Sequence, residues 1–310
     1  MIGISEIKRS AREMGGNGHG PGRAGAQTVV TDEVAFGYPR DFLENQFVYL
    51  VISPRAGGLC IGVNVNPIMK CNYQCLYCEV ERTRGAPAAG FDAEKMAAEL
   101  QGAFELACSG GLRQRARYAH LPEELLQVRH VTVSGDGEPT LSSHFAEALQ
   151  TIARFRALGG WPFFKIVVVT NSTALDRPEV LGGLTCLTRT DEIWAKLDGG
   201  TQAYLNRLNG GAVPLEKIMD NILLVARRRP VVIQSLFPAI EGAAPPAREI
   251  KQYAQRLKEL KAAGAKISLV QIYSATRPMA RTGCSHLPMK TLSRIAQTVR
   301  RVAGLRAEVF

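Results

Sequence analysis

The chain has 310 residues, 46% of them hydrophobic and 21% charged, which suits one large core or two small ones and excludes general disorder. No run of about 18 apolar residues is present, so no helical membrane span is expected. The N-terminus lacks the apolar centre of a signal peptide, and the expectation is a cytoplasmic chain. Net charge is +10 but uneven: residues 204–310 hold 18 Lys or Arg against 6 Asp or Glu, whereas residues 1–203 balance at −2. A basic C-terminal third suits nucleic acid, a small anionic substrate or an acidic redox partner, or simply the solvated faces of amphipathic helices. Seven cysteines in a cytoplasmic chain point to metal or redox chemistry rather than to disulfides.

Residues 1–27 place Gly15, Gly16, Gly18, Gly20 and Gly22 between Arg12 and Arg23 without a hydrophobic period, which reads as a flexible, mildly basic tail. Residues 28–58 form an extension. Within it Phe47–Ser53 is a strand stopped by Pro54, expected as a flap or hairpin packed on the main domain. From residue 59 to 310 apolar strands alternate with helical patterns. Strands are expected at Leu59–Val65, His130–Ser134, Lys165–Thr170, Glu192–Lys196, Val231–Leu236 and Lys266–Tyr273. Helices are expected at Asp92–Ala107, Ser142–Leu158, Pro178–Leu184, Pro214–Ala226, Pro246–Ala263 and Pro288–Ala303, with a last short strand at Arg306–Phe310. Unbroken apolar runs such as Ile166–Val169 suit a parallel sheet buried on both faces. The predicted fold is α/β, a partial (β/α)6 TIM-like barrel with an N-terminal extension. In such folds ligands sit at the C-terminal ends of the strands.

The first strand runs into Cys71-Asn72-Tyr73-Gln74-Cys75-Leu76-Tyr77-Cys78, three cysteines on one short loop. Thiolates suit iron–sulfur clusters, and three of them on a [4Fe–4S] cube leave one iron open for another ligand. A structural zinc asks for a fourth protein ligand and leaves no vacancy. The Cys-x3-Cys-x2-Cys spacing, with Tyr77 before the third cysteine, resembles the radical S-adenosylmethionine (SAM) enzymes. The resemblance implies that Cys71, Cys75 and Cys78 hold a [4Fe–4S] cluster whose open iron binds S-adenosyl-L-methionine. One electron then splits SAM to a 5′-deoxyadenosyl radical that abstracts hydrogen from substrate.

Later strand ends carry what the same resemblance asks for. Ser134-Gly135-Asp136-Gly137-Glu138-Pro139-Thr140 is similar to the family's Gly-Gly-Glu-Pro segment, with Asp136 as a departure. Glycines admit close backbone approach, and Glu138 offers a carboxylate to the SAM amino group. Thr170, Asn171 and Ser172 follow the third strand, and Lys196 and Asp198 the fourth, at positions implied for ribose and carboxylate. Read alone, Asn171 is a turn former and Lys196 with Asp198 a buried ion pair. Gln271 and Tyr273 end the sixth strand, where the family holds adenine, and Tyr77 is placed to stack on adenine or ribose. The fifth strand, with Gln234 and Ser235, lacks the family's Gly-x-Ile-x-Gly variant. Arg277 is a candidate for a substrate anion and Cys284 for a hydrogen donor.

Flanking residues Val65-Asn66-Pro67, Glu79-Val80-Glu81-Arg82 and Trp194–Asp198 resemble a branch similar to the radical SAM core of wyosine-type tRNA-modifying enzymes. The basic C-terminal third favours a tRNA or a small anionic substrate, and a reducing partner such as flavodoxin or ferredoxin is expected. Arg227, Arg228, Arg229, Arg300 and Arg301 are the candidate phosphate contacts. A glycyl-radical activase and a non-catalytic iron–sulfur carrier or redox module remain alternative readings.

Overall fold

The computed structural model describes residues 42–80, 90–211, 213–275, 279 and 282–310, all within one compact unit spanning residues 34–310. The expected tail at 1–27, the first part of the extension, and Arg277 lie outside the described residues.

Eight strands form one sheet, and a two-stranded ribbon stands apart. The sheet order is β1 (Val48–Ser53), β2 (Gly58–Val63), β3 (Val128–Val133), β4 (Lys165–Thr170), β5 (Glu192–Lys196), β6 (Val231–Leu236), β8 (Ile267–Tyr273) and β10 (Ala307–Val309). The ribbon pairs β7 (Ala239–Ile240) with β9 (Cys284–Ser285). From β2 onward every neighbouring pair in the sheet is parallel. The strand at Phe47–Ser53 takes the hairpin alternative rather than the flap: it pairs antiparallel with β2, Val48 opposite Val63, and becomes an edge of the sheet. The Arg306–Phe310 segment supplies the other edge. With β1 and β10 as edges the sheet is a partial barrel rather than a closed one.

The helices follow the expected pattern. They are α1 (Ala93–Cys108), α2 (Glu123–Leu126), α3 (Phe145–Ala157), α4 (Pro178–Leu184), α5 (Gln202–Asn209), α6 (Leu215–Ala226), α7 (Ala247–Ala262) and α8 (Met289–Ala303). Asp92 caps α1 by accepting from the Lys95 amide at 2.9 Å. Pro178 opens α4, while Pro214, Pro246 and Pro288 stand just before α6, α7 and α8, where a missing N–H costs nothing. The sequence reading missed α2 and α5.

Alternation along the strands separates two environments. Residues such as Ile61, Val131, Ile166, Ile193, Ile233 and Val270 face the helices in one large core. Their neighbours Val167, Trp194 and Val232 form a separate small apolar plug on the inner face. Toward the C-terminal strand ends the same face turns polar, with Lys196 opposite Gln234 and Gln234 opposite Gln271. Toward the N-terminal ends it is ionic: Lys165 pairs with Glu192 at 2.7 Å, and the Trp194 indole donates to Glu192 at 2.8 Å.

His130 stands edge-on to Trp194 in this lower tier, with its Nδ1 buried and without a hydrogen-bond partner among the described residues. Burial pushes its imidazole down to about 4; Glu192 opposes the shift, and Lys165 and Arg129 add to it. The unfolded chain therefore takes up this proton near pH 6.5 while the folded chain does not. Stability should be intact above pH 6.5 and fall by on the order of 3 kcal/mol as pH drops toward 4. Denaturant melts at pH 7 and pH 5 check this; a His130→Leu protein with the same pH slope as wild type rejects it.

Four cations of the basic C-terminal third finish helices or the connections that follow them. Arg227 donates through Nε to the Ala263 carbonyl at the end of α7, at 3.1 Å. Lys261 reaches the Gly304 carbonyl past α8 at 2.8 Å, and Arg300 holds the Ala307 carbonyl at 2.9 Å. Arg229 bonds the carbonyls of Thr188 and Asp191 at 2.8 and 2.7 Å. Cations here complement the negative ends of the helix dipoles and satisfy open carbonyls. All lie in connections from helix back to strand, at the end of the sheet away from the loops that follow the strands. Arg227, Arg229 and Arg300, read from sequence as candidate phosphate contacts, are thus engaged in structure at the end remote from the cysteines.

Candidate functional site

The cysteine loop leaves β2 through Asn64 and Asn66, both buried. The Asn66 side chain donates to the Lys70 and Glu138 carbonyls at 2.7 and 2.9 Å and accepts from the Lys70 amide at 3.1 Å. The Glu138 amide also donates to the Lys70 carbonyl, at 3.0 Å. One asparagine thus staples the cysteine loop to the glycine-rich loop after β3. The contact explains the glycines: a Cβ on Gly137 would stand 2.5 Å from the Lys70 carbonyl oxygen, and one on Gly135 (φ +154°) 2.4 Å from Asn64 Oδ1. Asp136 accepts from Asn64 Nδ2 at 2.7 Å, so the departure from the family's glycine has a local partner.

Cys71, Cys75 and Cys78 are half-buried free thiols. The Tyr73 amide points at the Cys71 sulfur at 3.4 Å, and Asn209 Nδ2 donates to the Cys75 sulfur at 3.2 Å. Burial pushes the Cys75 thiol up to about 11, against the Asn209 hydrogen bond. Among the described residues no three His, Cys, Asp or Glu side chains are arranged around a single metal ion. A cubane asks for something else, three thiols on one loop with N–H donors to sulfur; the loop carries the three thiols, and Cys71 and Cys75 have such donors, so these residues fit it.

The other side of the loop rests on α5, the helix the sequence reading missed. Its end accepts two loop amides, Gln74 N–H to the Asn209 carbonyl at 2.7 Å and Leu76 N–H to the Leu208 carbonyl at 2.8 Å. Thr201 caps the start of α5 and Gly210, in the left-handed region, ends it. Leu76 and Tyr77 pack against Tyr204, Leu208 and Ile240.

Glu138 is 4% exposed, and among the described residues it makes no ion pair. Its Oε1 accepts from the Thr140 amide (3.2 Å), the Thr140 hydroxyl (2.7 Å) and the Thr170 hydroxyl (2.5 Å), and its Oε2 from the Asn171 amide (2.7 Å). Burial raises its pKa despite these donors. Oε1 is saturated while Oε2 keeps capacity for another donor. Pro139 is buried at the start of the 3-10 turn that Glu138 caps.

The end of β4 binds the cysteine loop rather than standing open. Asn171 Nδ2 donates to Asn72 Oδ1 at 2.8 Å and Asn72 Nδ2 donates to the Thr173 hydroxyl at 2.8 Å, while Asn171 Oδ1 takes the Thr173 amide and hydroxyl. Ser172, at φ +68°, donates to the Lys196 carbonyl at 3.1 Å. Thr170 is spent on Glu138.

Lys196 and Asp198 do form the buried pair, 3.3 Å apart. Asp198 also accepts from Tyr77, from Asn209 at 3.1 Å and from the Leu236 amide at 2.9 Å. Burial works against the Lys196 charge, but Asp198 and the Tyr273 hydroxyl at 3.1 Å hold its pKa above the ordinary value. Tyr273 continues to Gln234 (3.3 Å), and Gln234 to Gln271 (3.3 Å). The Lys196 ammonium lies 5.0 Å from the Tyr77 ring centre and the Arg55 guanidinium 4.3 Å from that of Tyr273. Tyr77 is therefore tied to Asp198.

The structure thus gathers Tyr77, Glu138, Thr170, Asn171, Lys196 and Asp198 around the cysteine loop, with Tyr273 and Gln271 in the polar tier below. Cys284 sits in β9, donating to the Met279 sulfur at 3.2 Å, and burial raises its pKa. Asn64, Asn66 and Asn209 were missed as site residues. Asn66 stood in a flanking motif; for Asn209 the signal was Thr201 and Gly210 bracketing a short helix.

No family model matches the chain. It is 28% identical over 178 residues to the UPF0026 protein slr1464 of Synechocystis, covering 56% of this chain and 57% of that protein. It is 24% identical over 225 residues to a UPF0026 protein of Helicobacter pylori, covering 72% and 66%. The matched stretch therefore spans less than two thirds of these relatives. Among solved structures, TYW1 with a lysine-pyruvate adduct bound aligns with a TM-score of 0.55 at 15% identity, over 96% of this chain and 88% of that one. Spore photoproduct lyase complexed with dinucleoside spore photoproduct aligns with a TM-score of 0.52 at 11% identity, over 84% and 79%. Both are radical SAM enzymes, and this chain shares the partial α/β barrel fold with them.

Proposed function

We propose that this chain is a radical SAM enzyme in which Cys71, Cys75 and Cys78 hold a [4Fe–4S] cluster and Glu138 receives the SAM amino group. The observation that carries the reading is the convergence of the loops after β2, β3, β4 and β5 on the cysteines, beside a buried carboxylate with no cationic partner among the described residues. When bound, the cluster supplies the electron for reductive cleavage of SAM. The chain's own residues hold and orient. Thr140, Thr170 and the Asn171 amide fix the Glu138 carboxylate so that Oε2 meets an ammonium. Tyr77, locked on Asp198, presents a ring edge of the site, and Lys196 remains charged beside it. Gln234, Gln271 and Tyr273 offer hydrogen bonds to a polar substrate above the apolar plug.

The proposed substrate is a small anionic molecule or a nucleotide unit, with tRNA as the larger form of the second. Support comes from the ligands of the two neighbours, an adduct of pyruvate in one and a dinucleoside in the other. A flavodoxin or ferredoxin is the proposed electron donor. The test is anaerobic reconstitution with iron and sulfide, then dithionite and SAM, with 5′-deoxyadenosine as the readout. Formation of that product supports the enzyme. A reconstituted cluster that never cleaves SAM overturns it in favour of an iron–sulfur carrier.

A further inference from the structure

Asn209 is the last residue of α5 and 1% exposed. Its Nδ2 stands 3.2 Å from the Cys75 sulfur, 3.2 Å from the Tyr77 hydroxyl and 3.1 Å from Asp198 Oδ2. Three acceptors around this nitrogen fix the amide orientation, since the opposite one would face its oxygen toward a carboxylate and a sulfur. The Asn209 Oδ1 is buried without a partner among the described residues. A buried amide with one end unsatisfied is retained at a cost, so the other end must do something that an apolar residue would not.

Loop docking does not require it. The two backbone bonds from Gln74 and Leu76 to the end of α5 hold the loop whatever side chain follows. Besides its contacts to Tyr77 and Asp198, the side chain supplies an N–H aimed at a thiol proposed to ligate iron, at 3.2 Å and so closer than the donors to Cys71, the Tyr73 amide at 3.4 Å and Asn171 Nδ2 at 3.9 Å. A hydrogen bond to a ligand sulfur withdraws electron density and favours the reduced cluster, which carries one more negative charge. The carboxylate of Asp198 and the negative end of the α5 dipole lie on the same side and oppose that electron.

Resting on the cluster reading above, we propose that Asn209 is a positioning residue that sets the reduction potential of the centre through its bond to the Cys75 sulfur. Reduction adds one electron from the donor, dithionite in the assay, with no bond made or broken in the protein. Without the N–H the electron enters less readily. Asn209→Leu keeps the volume and removes the donor, and Asn209→Ala removes both.

The experiment reconstitutes the full-length wild type and both variants. It measures iron and sulfide content, then the midpoint potential by redox titration followed by electron paramagnetic resonance, without SAM. Both variants should keep their iron, with the equilibrium for reduction falling on the order of tenfold, a shift of about 59 mV to more negative potential. An unchanged potential in iron-replete variants overturns the assignment while leaving the enzyme reading intact. Loss of iron from both variants also overturns it, since Asn209 would then hold the loop rather than the potential. A wild type that takes up no cluster overturns both.

Discussion

Replacing Cys75 by Ala is expected to remove reconstituted iron and to lower 5′-deoxyadenosine formation by at least about a hundredfold. Losing even an outer partner of a metal ligand costs ten- to a hundredfold, and losing one of three ligands on an incomplete cube costs more. The variant should still fold. Asn209 keeps Tyr77 and Asp198 as acceptors, and the two backbone bonds to α5 do not involve the thiol. Iron analysis, product assay and a thermal melt on the same preparation separate the effects. Wild-type iron and product in the Cys75→Ala protein would sink the ligand assignment, and a collapsed melt would move the loss to folding.

Glu138→Gln is expected to weaken SAM binding by tenfold to a hundredfold, about 1.5–3 kcal/mol, while iron content stays at the wild-type level. The carboxylate is buried with its charge uncompensated by any cation among the described residues, and its pKa is raised accordingly. An arriving ammonium supplies that compensation through the spare capacity of Oε2. Glutamine keeps the volume but turns one oxygen into a donor, which then faces the Asn171 amide or the threonine donors. Both the charge and the geometry are lost together. Equilibrium SAM binding to the reconstituted protein under anaerobic conditions decides it; a dissociation constant equal to wild type rejects the role.

Sequence reading went furthest where periodicity and punctuation agreed. Six parallel strands and their helices were legible because β-branched runs such as Ile166–Val169 sit between clear helix starts at Asp92, Pro178, Pro214, Pro246 and Pro288. The strand at Phe47–Ser53 was legible as a strand but not as an edge, since pairing partner and direction are not written in its alternation. The site divided in the same way. Three cysteines at close spacing and a glycine-rich strand end announce themselves by type. The side chains that join those pieces do not: Asn66 and Asn209 are common residues whose work depends on loops 72 and 134 residues away in sequence meeting them. For the same reason Asn171 and Asp198 looked open to ligand from sequence, whereas folding gives their polar atoms to Asn72, Thr173, Tyr77 and Asn209.

The cations that finish α7, α8 and their connections have a kinetic consequence. They place Arg227, Arg229, Lys261 and Arg300 at the end opposite Cys71–Cys78. Long-range attraction is what a polyanion senses first, within roughly 10 Å at 0.1 M salt. Under the nucleotide reading proposed above, bulk nucleic acid would encounter this basic rim first, and that binding would weaken with salt whether or not any base reaches the cysteines. Salt-sensitive retention on nucleic acid measures the rim. Encounters that lead to chemistry must be selected instead by short-range fit at the other mouth of the barrel, and should change little when the rim charges are screened.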